Sequence, residues 1–340
     1  MLLVTFEERD RELEAVEYLC RSLACYEPEV PFVMAAPSRH VERLESFVDL
    51  HPLASVRDMG DRRWGYTVKP RLLLDLLDAQ PQRPLVWIDS DIVACRPFAR
   101  ELTRHGEATL IATTEYAAAR YSGSEIRCEK LGYQEKRRFP RSINSSIVLV
   151  TDAHRPLLEA WERRMLEEDY QTNAAMPMTQ RPPWLAGDQC VLTLLLASEF
   201  AQVPVHLLRS GLDIAHELPG AGYSLTERLS NLAHRRLPFF AHAIGDGKPW
   251  RMGASQSVNR FKRSMIELSL YNHVVRQILP PAQWPGWART STPDARAASW
   301  ASLSHPTVKG LPHSLAYSAA RLGFHLLKGR PTDPGAGTSG

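Results

Sequence analysis

Apolar residues in the first half of the chain alternate between short continuous runs and helical spacing. Continuous short runs predict buried strands, whereas apolar residues three and four positions apart predict amphipathic helices. The pattern predicts strands at residues 2–6, 31–36, 54–57 and 84–88, with helices between them at 11–26, 41–50 and 66–77. Because strands and helices alternate, we expect a parallel sheet covered by helices on both faces.

The second half of the chain has a less regular pattern. It predicts strands at 108–113, 146–150, 201–205 and 238–241, and helices at 157–167, 187–197 and 259–279. Residues 114–141 are expected to be irregular, and Asp152 is the expected N-cap of the helix at 157–167. We therefore predict a main domain over 1–280, a less regular C-terminal extension over 281–328, and a disordered tail over 329–340, where Pro, Ser, Ala and Gly dominate.

The net charge limits the kinds of ligand that the surface can attract. The chain has 41 Lys+Arg against 38 Asp+Glu, a net charge of +3 over 340 residues. Such a balance provides no general positive field, so we expect no nucleic-acid partner. Any anionic ligand must instead be held by a local site.

Cysteine spacing and the N-terminal residues predict a cytosolic protein. The five cysteines lack the close pairs of a zinc ribbon or redox motif, and we interpret most of them as buried apolar residues in a reducing compartment. The N-terminus turns acidic early, unlike a secretory signal, and no apolar run is long enough to span a bilayer.

Two carboxylates, Asp89 and Asp91, directly follow the predicted strand at 84–88. Ligands of open α/β sheets bind at the carboxyl ends of the strands, so this pair is placed to hold a hard divalent cation against a diphosphate. The alternative is a turn, in which Asp and Ser bond their own backbone. This motif alone leaves both interpretations open.

A second candidate motif, His-Ala-Ile-Gly-Asp-Gly-Lys-Pro-Trp, occupies residues 242–250. His242 can complete a metal site that carboxylates begin, Gly245 allows close approach of the backbone to a phosphate, and Lys248 supplies a compact positive charge. Taken singly, each residue also fits a structural histidine or an ordinary turn. The motif is not a P-loop, since the glycine spacing and the Ser or Thr after the lysine are missing.

Read together and in this order, the two motifs resemble those of retaining glycosyltransferases of family 8, the group of glycogenin and the bacterial lipopolysaccharide galactosyl- and glucosyltransferases. Two further segments lie between them in the family's order. Ile-Asn-Ser-Ser-Ile at 143–147 is similar to its Phe/Ile-Asn-Ser/Ala-Gly-Val strand, and Gly-Asp-Gln at 187–189 is similar to its Asp-Gln helix start. The chain departs from the family at Ser146, Cys190 and Thr193, which bears on the sugar more than on the reaction class.

The resemblance implies the GT-A fold, a Rossmann-like α/β nucleotide-diphospho-sugar transferase domain with a mixed central sheet. It implies that Asp89, Asp91 and His242 ligate Mn²⁺ or Mg²⁺. It also implies that Gly245 and Lys248 hold the diphosphate of the donor.

The remaining site residues are likewise implied by the resemblance. The sugar pocket would contain Asn144 together with the catalytic candidates Asp188 and Gln189, although Asp188 also fits a simple helix cap. Lys69 stands where the family often has a basic residue that reaches the donor, and its alternative is a solvated lysine on a helix face. The residues expected near the nucleotide base are Thr5 and Phe6.

The function implied is retaining, metal-dependent transfer of a hexose, galactose or glucose, from a UDP-sugar to a carbohydrate or glycolipid acceptor. Two alternatives are a non-catalytic nucleotide-sugar-binding protein of the same fold and a sugar-phosphate nucleotidylyltransferase. The latter enzymes have a glycine-rich loop after the first strand, whereas residues 6–10 here contain no glycine. Acceptor contacts are expected from the variable segments 114–141 and 181–185.

The C-terminal extension has two open interpretations. Residues 311–328 form an apolar and basic helical pattern that fits peripheral contact with the cytoplasmic face of a membrane, or packing on the domain or a second subunit. Trp284, Trp287 and Trp300 are interpreted as anchors of this region to the core, with a sugar-stacking platform as the alternative.

Overall fold

The structure is a computed structural model that describes residues 1–115, 123–217, 225–234, 236–244, 248–251, 267 and 269–289. Strands within these residues are β1 (Leu2–Phe6), β2 (Phe32–Ala36), β3 (Ala54–Asp58), β4 (Leu85–Ile88), β5 (Ile92–Ala94), β6 (Leu110–Thr114), β7 (Ile143–Val150), β8 (Val205–Leu208), β9 (Ile214–His216) and β10 (Phe240–His242). The α-helices are α1 (Leu13–Tyr26), α2 (Ser38–Glu45), α3 (Val68–Ala79), α4 (Ala99–Thr103), α5 (Ser124–Leu131), α6 (Arg155–Leu166), α7 (Glu168–Ala175), α8 (Asp188–Ala197), α9 (Leu225–Ala233) and α10 (Leu270–Ile278).

Seven strands form a central sheet in the order β3-β2-β1-β4-β7-β6-β8. All neighbouring pairs are parallel except those made by β7, which runs antiparallel to both β4 and β6. The expectation of a parallel sheet is therefore wrong at β7, and the mixed sheet implied by the resemblance is confirmed. All eight residues of β7 are buried, and a strand buried on both faces has the same apolar pattern in either direction.

Side chains of the central strands alternate between two cores on opposite faces of the sheet. In β1, Leu2 and Val4 belong to one core and Leu3 to the other, as the two-residue period of a strand requires. Helices α3, α6 and α8 cover the first face, and α1 covers the second. The prediction of helices on both faces is thus confirmed.

A second, three-stranded sheet in the order β5-β10-β9 carries the later motif of the sequence. Its core joins Tyr18 of α1 to Tyr271 of α10, and Trp287 packs edge-on against Tyr18 with ring centroids 5.6 Å apart. Trp284 packs against the same core. Both tryptophans therefore act as core anchors, while Trp300 lies outside the described residues.

Several predicted elements differ from those observed. The predicted helix at 41–50 is replaced by α2, which ends at Glu45, and by a separate 3₁₀ turn at Val48–Leu50. The segment 114–141, expected to be irregular, contains α5, which ends at Leu131 and is followed by Gly132 in the left-handed conformation. The strand expected at 201–205 is β8, shifted to Val205–Leu208.

Other differences concern helix ends and short elements. Thr151, rather than Asp152, caps the turn that precedes α6, and it forms a capping box with His154. Short elements that the sequence pattern did not predict are α4, α7, α9, β5 and β9. Of the helix expected at 259–279, the structure describes α10. Residues 290–340, which include most of the predicted extension and the whole predicted tail, lie outside the described residues.

Among the described residues, no helix has both the length and the apolar character needed to cross a membrane.

The indole of Trp161 links α6 to the start of α8. The side chain is fully buried, and its Nε1 donates to the backbone oxygen of Asp188 at 3.1 Å. We expect Trp161→Ala to lower the free energy of unfolding by about 3–5 kcal/mol, because it leaves a large cavity and removes the hydrogen bond to the Asp188 carbonyl. Urea denaturation measures this change.

Leu166 on the same helix provides the control, since it is 60% exposed. Leu166→Ala is expected to change the free energy of unfolding by less than about 0.5 kcal/mol. Equal losses in the two variants would show that the Trp161 contact does not stabilise the fold.

Candidate active site

The carboxyl end of β4 and the amino end of β7 meet at one edge of the central sheet. Ile88 pairs with Ile147, and the next residue, Asp89, donates its backbone N–H to the oxygen of Ser146 at 2.8 Å. On the other side of β7, Val148 pairs with Ala112 and Asn144 with Thr113, so residues 145–147 lie in an irregularity of the ladder. The Asp-Ser-Asp and Asn-Ser-Ser motifs are therefore adjacent.

Asp89, Asp91 and His242 form a cluster whose ligand atoms all lie within 4.8 Å of one another. The backbone explains the proximity, because Ile92 of β5 pairs with His242 of β10. Asp91 Oδ1 lies 3.2 Å from His242 Nε2. Two carboxylates and one imidazole are a donor set that fits Mn²⁺ or Mg²⁺, the ions implied by the resemblance.

Lys248 lies directly against the Asp91 carboxylate, and its Nζ is also 3.5 Å from Glu12 Oε2. Burial alone would raise the pKa of Asp91, but the nearby Lys248 and His242 hold that pKa well below its ordinary value. Asp91 is therefore ionised and able to act as a metal ligand.

Glu12 fixes the segment that carries Lys248. Its carboxylate is completely buried and accepts from Trp250 Nε1 at 2.9 Å and from the guanidinium of Arg251. This residue was missed in the sequence analysis, because a single glutamate in the turn before α1 has no motif around it. Gly245 lies outside the described residues, so its predicted contact with a phosphate stays a prediction.

Lys69 is buried between two carboxylates. Its Nζ lies 3.1 Å from Asp89 Oδ1 and 3.0 Å from Asp188 Oδ2, and it donates to the backbone oxygen of Ser145 at 2.8 Å. Burial alone would lower the pKa of Lys69, but Asp188 and Asp89 outweigh it and raise the pKa above its ordinary value. The alternative of a solvated helix-face lysine is wrong, because the side chain is only 6% exposed.

Asp188 is the first residue of α8, and its carboxylate bonds side chains outside the helix. Oδ2 accepts from Ser145 Oγ at 2.6 Å and pairs with Lys69. The N-cap position is Gly187, with no side-chain cap. The interpretation of Asp188 as a simple helix cap is therefore wrong, and its carboxylate belongs to the cluster at the sheet edge.

Glu115 joins the other two predicted sugar-pocket residues. Its Oε2 accepts from Asn144 Nδ2 at 3.1 Å and from Gln189 Nε2 at 2.8 Å. Glu115 is 1% exposed and directly follows β6. It too was missed, although a carboxylate at the end of a predicted strand is the same signal that identified Asp89.

The end of β1 lies one strand away from Asp89. Thr5 is fully buried, and its Oγ1 has no hydrogen-bond partner among the described residues. Phe6 contacts Trp64 edge-on, with ring centroids 6.5 Å apart. The structure thus places both residues at the same edge of the sheet as the cluster, while their contact with a base stays a prediction.

A second histidine lies behind His242. His216 Nδ1 is 3.2 Å from His242 Nδ1, and His216 Nε2 is 3.0 Å from the backbone oxygen of Thr114. Burial and the neighbouring His242 lower the pKa of His216 to about 3. The His216 ring is therefore neutral at physiological pH.

Comparison with known proteins identifies the fold. No protein-family model matches the chain, and no curated protein matches it in sequence. The galactosyltransferase LgtC, solved with donor and acceptor sugar analogues, is similar to the chain with a TM-score of 0.50 and 13% identity, over 75% of this chain and 91% of that chain.

Two further solved structures have lower scores. The bifunctional glycosyltransferase WbbM gives a TM-score of 0.49 at 14% identity over 74% of this chain, which spans 46% of WbbM. The glycosyltransferase GlyE of Streptococcus pneumoniae gives 0.45 at 14% identity, over 80% of this chain and 61% of that chain. With its seven-stranded mixed sheet and its similarity to LgtC, the chain has the GT-A fold of glycosyltransferases.

Proposed function

We propose that this protein is a retaining, metal-dependent glycosyltransferase of the family 8 type, which transfers galactose or glucose from a UDP-sugar to a carbohydrate or glycolipid acceptor. The observation that carries the proposal is the convergence of Asp89, Asp91 and His242 with two buried lysines at one edge of a GT-A sheet. We further propose a cytoplasmic location, in which residues 311–328 would either contact the cytoplasmic face of a membrane or pack on the domain or a second subunit.

Charge on the leaving group is the main chemical problem in this reaction. Cleavage of the bond between the anomeric carbon and the phosphate leaves a nucleoside diphosphate with added negative charge. Asp89, Asp91 and His242 would hold Mn²⁺ or Mg²⁺, which neutralises the diphosphate when bound. Lys248 would donate to the diphosphate oxygens, and its contribution grows as their charge develops.

The polar groups around Asp188 are suited to the sugar. Ser145 and Lys69 fix the Asp188 carboxylate, which would accept hydrogen bonds from sugar hydroxyls. Gln189 donates its Nε2 protons toward Glu115, an orientation that leaves the amide oxygen for the sugar. An amide oxygen or a carboxylate stabilises the oxocarbenium-like character of the anomeric carbon by its negative potential. Asn144, held by the same Glu115, would complete the pocket.

Donor and metal are expected to bind together to the folded protein. A UDP-sugar that binds with Mn²⁺ at 100 times its Kd should stabilise the protein by about 2.7 kcal/mol, since ligand bound only to the folded state adds to its stability. Thermal unfolding against a panel of nucleotide-sugars, each with and without Mn²⁺, measures this effect. If no nucleotide-sugar raised the unfolding temperature in the presence of Mn²⁺, the proposal would be contradicted.

Asp91→Asn tests whether turnover depends on this site. We expect it to reduce Mn²⁺-dependent release of UDP from the stabilising donor by more than about 100-fold, because several kcal/mol of charge stabilisation are removed. Asp78→Asn, at an exposed carboxylate paired with Arg155, should leave UDP release unchanged. Wild-type protein that binds the donor but releases no UDP with any acceptor would favour the non-catalytic binding protein.

Lys69→Met tests the buried lysine. We expect it to lower the free energy of unfolding by about 3 kcal/mol, because Asp89 and Asp188 are left facing each other without their shared cation. The rise in unfolding temperature that the donor and Mn²⁺ cause should also be smaller in this variant. The same thermal unfolding assay measures that rise, starting from temperatures at which the variant is folded. Lys130→Met, at a side chain that is 47% exposed, should change neither quantity. A Lys69→Met variant as stable as the wild type would contradict the role of this pairing.

A further inference from the structure

His216 and His242 are cross-strand neighbours in the second sheet. The two residues are register partners in the parallel pair of β9 and β10, and both side chains are buried. We propose that His216 is a positioning residue that keeps a proton on Nδ1 of His242 and thereby presents Nε2 of His242 to the metal site. The inference rests on the proposed function, because it assigns a role within the same site.

The direction of the hydrogen bonds follows from the groups that form them. The backbone oxygen of Thr114 can only accept, so Nε2 of His216 donates to it across 3.0 Å. His216 is 2% exposed and touches a second imidazole, which disfavours a positive charge on its ring. With its proton on Nε2, the neutral ring offers Nδ1 as an acceptor. The 3.2 Å contact between the two Nδ1 atoms therefore requires His242 to donate.

This donation decides which nitrogen of His242 faces the cluster. Nδ1 carries a proton directed at His216, and Nε2 lies 3.2 Å from Asp91 Oδ1. Whether or not Nε2 bears a second proton toward the carboxylate when no cation is bound, the first proton stays on Nδ1. Nε2 is then the nitrogen whose lone pair can bind a cation, as is common for histidine ligands oriented by a partner behind them.

The backbone holds both rings in place for this role. Ile-Ala-His at 214–216 and Phe-Ala-His at 240–242 are short strands of the same pattern, paired in register. The ring centroids are 5.3 Å apart with an interplanar angle of 61°, an arrangement that directs nitrogen to nitrogen. Burial on both sides prevents water from replacing either hydrogen bond.

The first experiment reads the proton positions directly. ¹⁵N NMR of the full-length protein labelled at histidine, with His242→Gln to assign the signals, is recorded without metal and with Mg²⁺. We expect Nδ1 of His242 to be protonated in both samples. A non-protonated Nδ1 would overturn the inference, whatever the metal affinity.

The second experiment measures metal affinity in variants. Free Mn²⁺ is titrated by electron paramagnetic resonance, with and without UDP, against purified full-length proteins. His216→Phe keeps the size of the ring but has no acceptor, so we expect Mn²⁺ to bind about 10- to 100-fold more weakly. His216→Asn places an amide oxygen near the position of Nδ1 and should retain affinity close to the wild-type value.

A matched histidine provides the control. His206→Phe changes a ring that stacks on His105 with centroids 3.9 Å apart, and it should leave Mn²⁺ affinity unchanged. The inference would be overturned if wild type, His216→Phe and His216→Asn bound Mn²⁺ with equal affinity. It would also be overturned if both substitutions weakened Mn²⁺ binding to the same extent. If wild-type protein binds no Mn²⁺ with or without UDP, the proposed function is wrong, and the NMR experiment alone decides the role of His216.

Discussion

The pairing of buried charges is the constraint on which the rest of this structure depends. Asp91, Asp188 and Glu12 are all buried, and an ionised carboxylate in such a place is strongly unfavourable without compensation. Lys69 neutralises Asp188 together with Asp89, and Lys248 lies against Asp91 and Glu12. These pairs connect α3, the end of β4, the start of α8 and the segment after β10. A single electrostatic cluster thus joins parts of the chain that are far apart in sequence.

The antiparallel strand β7 makes this cluster possible. A parallel strand in its place would bring its carboxyl end to the edge where β4 ends. Because β7 runs the other way, its first residues lie beside Asp89. The irregularity at residues 145–147 then lets Ser145 offer its backbone oxygen to Lys69 and its hydroxyl to Asp188. The irregularity in the pairing of β6 with β7 therefore positions Ser145 of one motif against Asp188 of another.

The sequence predicted an element correctly where its residue pattern is compatible with only one kind of secondary structure. Apolar periodicity identified β1, β2 and β4 together with α1 and α3, because each is a largely buried apolar run or an amphipathic stripe. It could not give the direction of β7, since burial on both faces removes any directional pattern. The order of the motifs along the chain led to the prediction that Asp89, Asp91 and His242 form one site, and the three side chains do lie together. Glu12 and His216 were missed because their roles come from tertiary contacts that no local spacing records. Glu115 was missed although it follows a predicted strand, as Asp89 does.

The second sheet explains why the metal ligands are so widely separated in sequence. Asp91 immediately precedes β5, and His242 ends β10, so the two ligands meet only when those strands pair. His216 ends β9 and meets His242 only when β9 pairs with β10. A cation bound by Asp89, Asp91 and His242 would therefore bind the paired strands and not the separated ones. Binding free energy of this kind stabilises the fold itself, which couples assembly of the small sheet to occupation of the site.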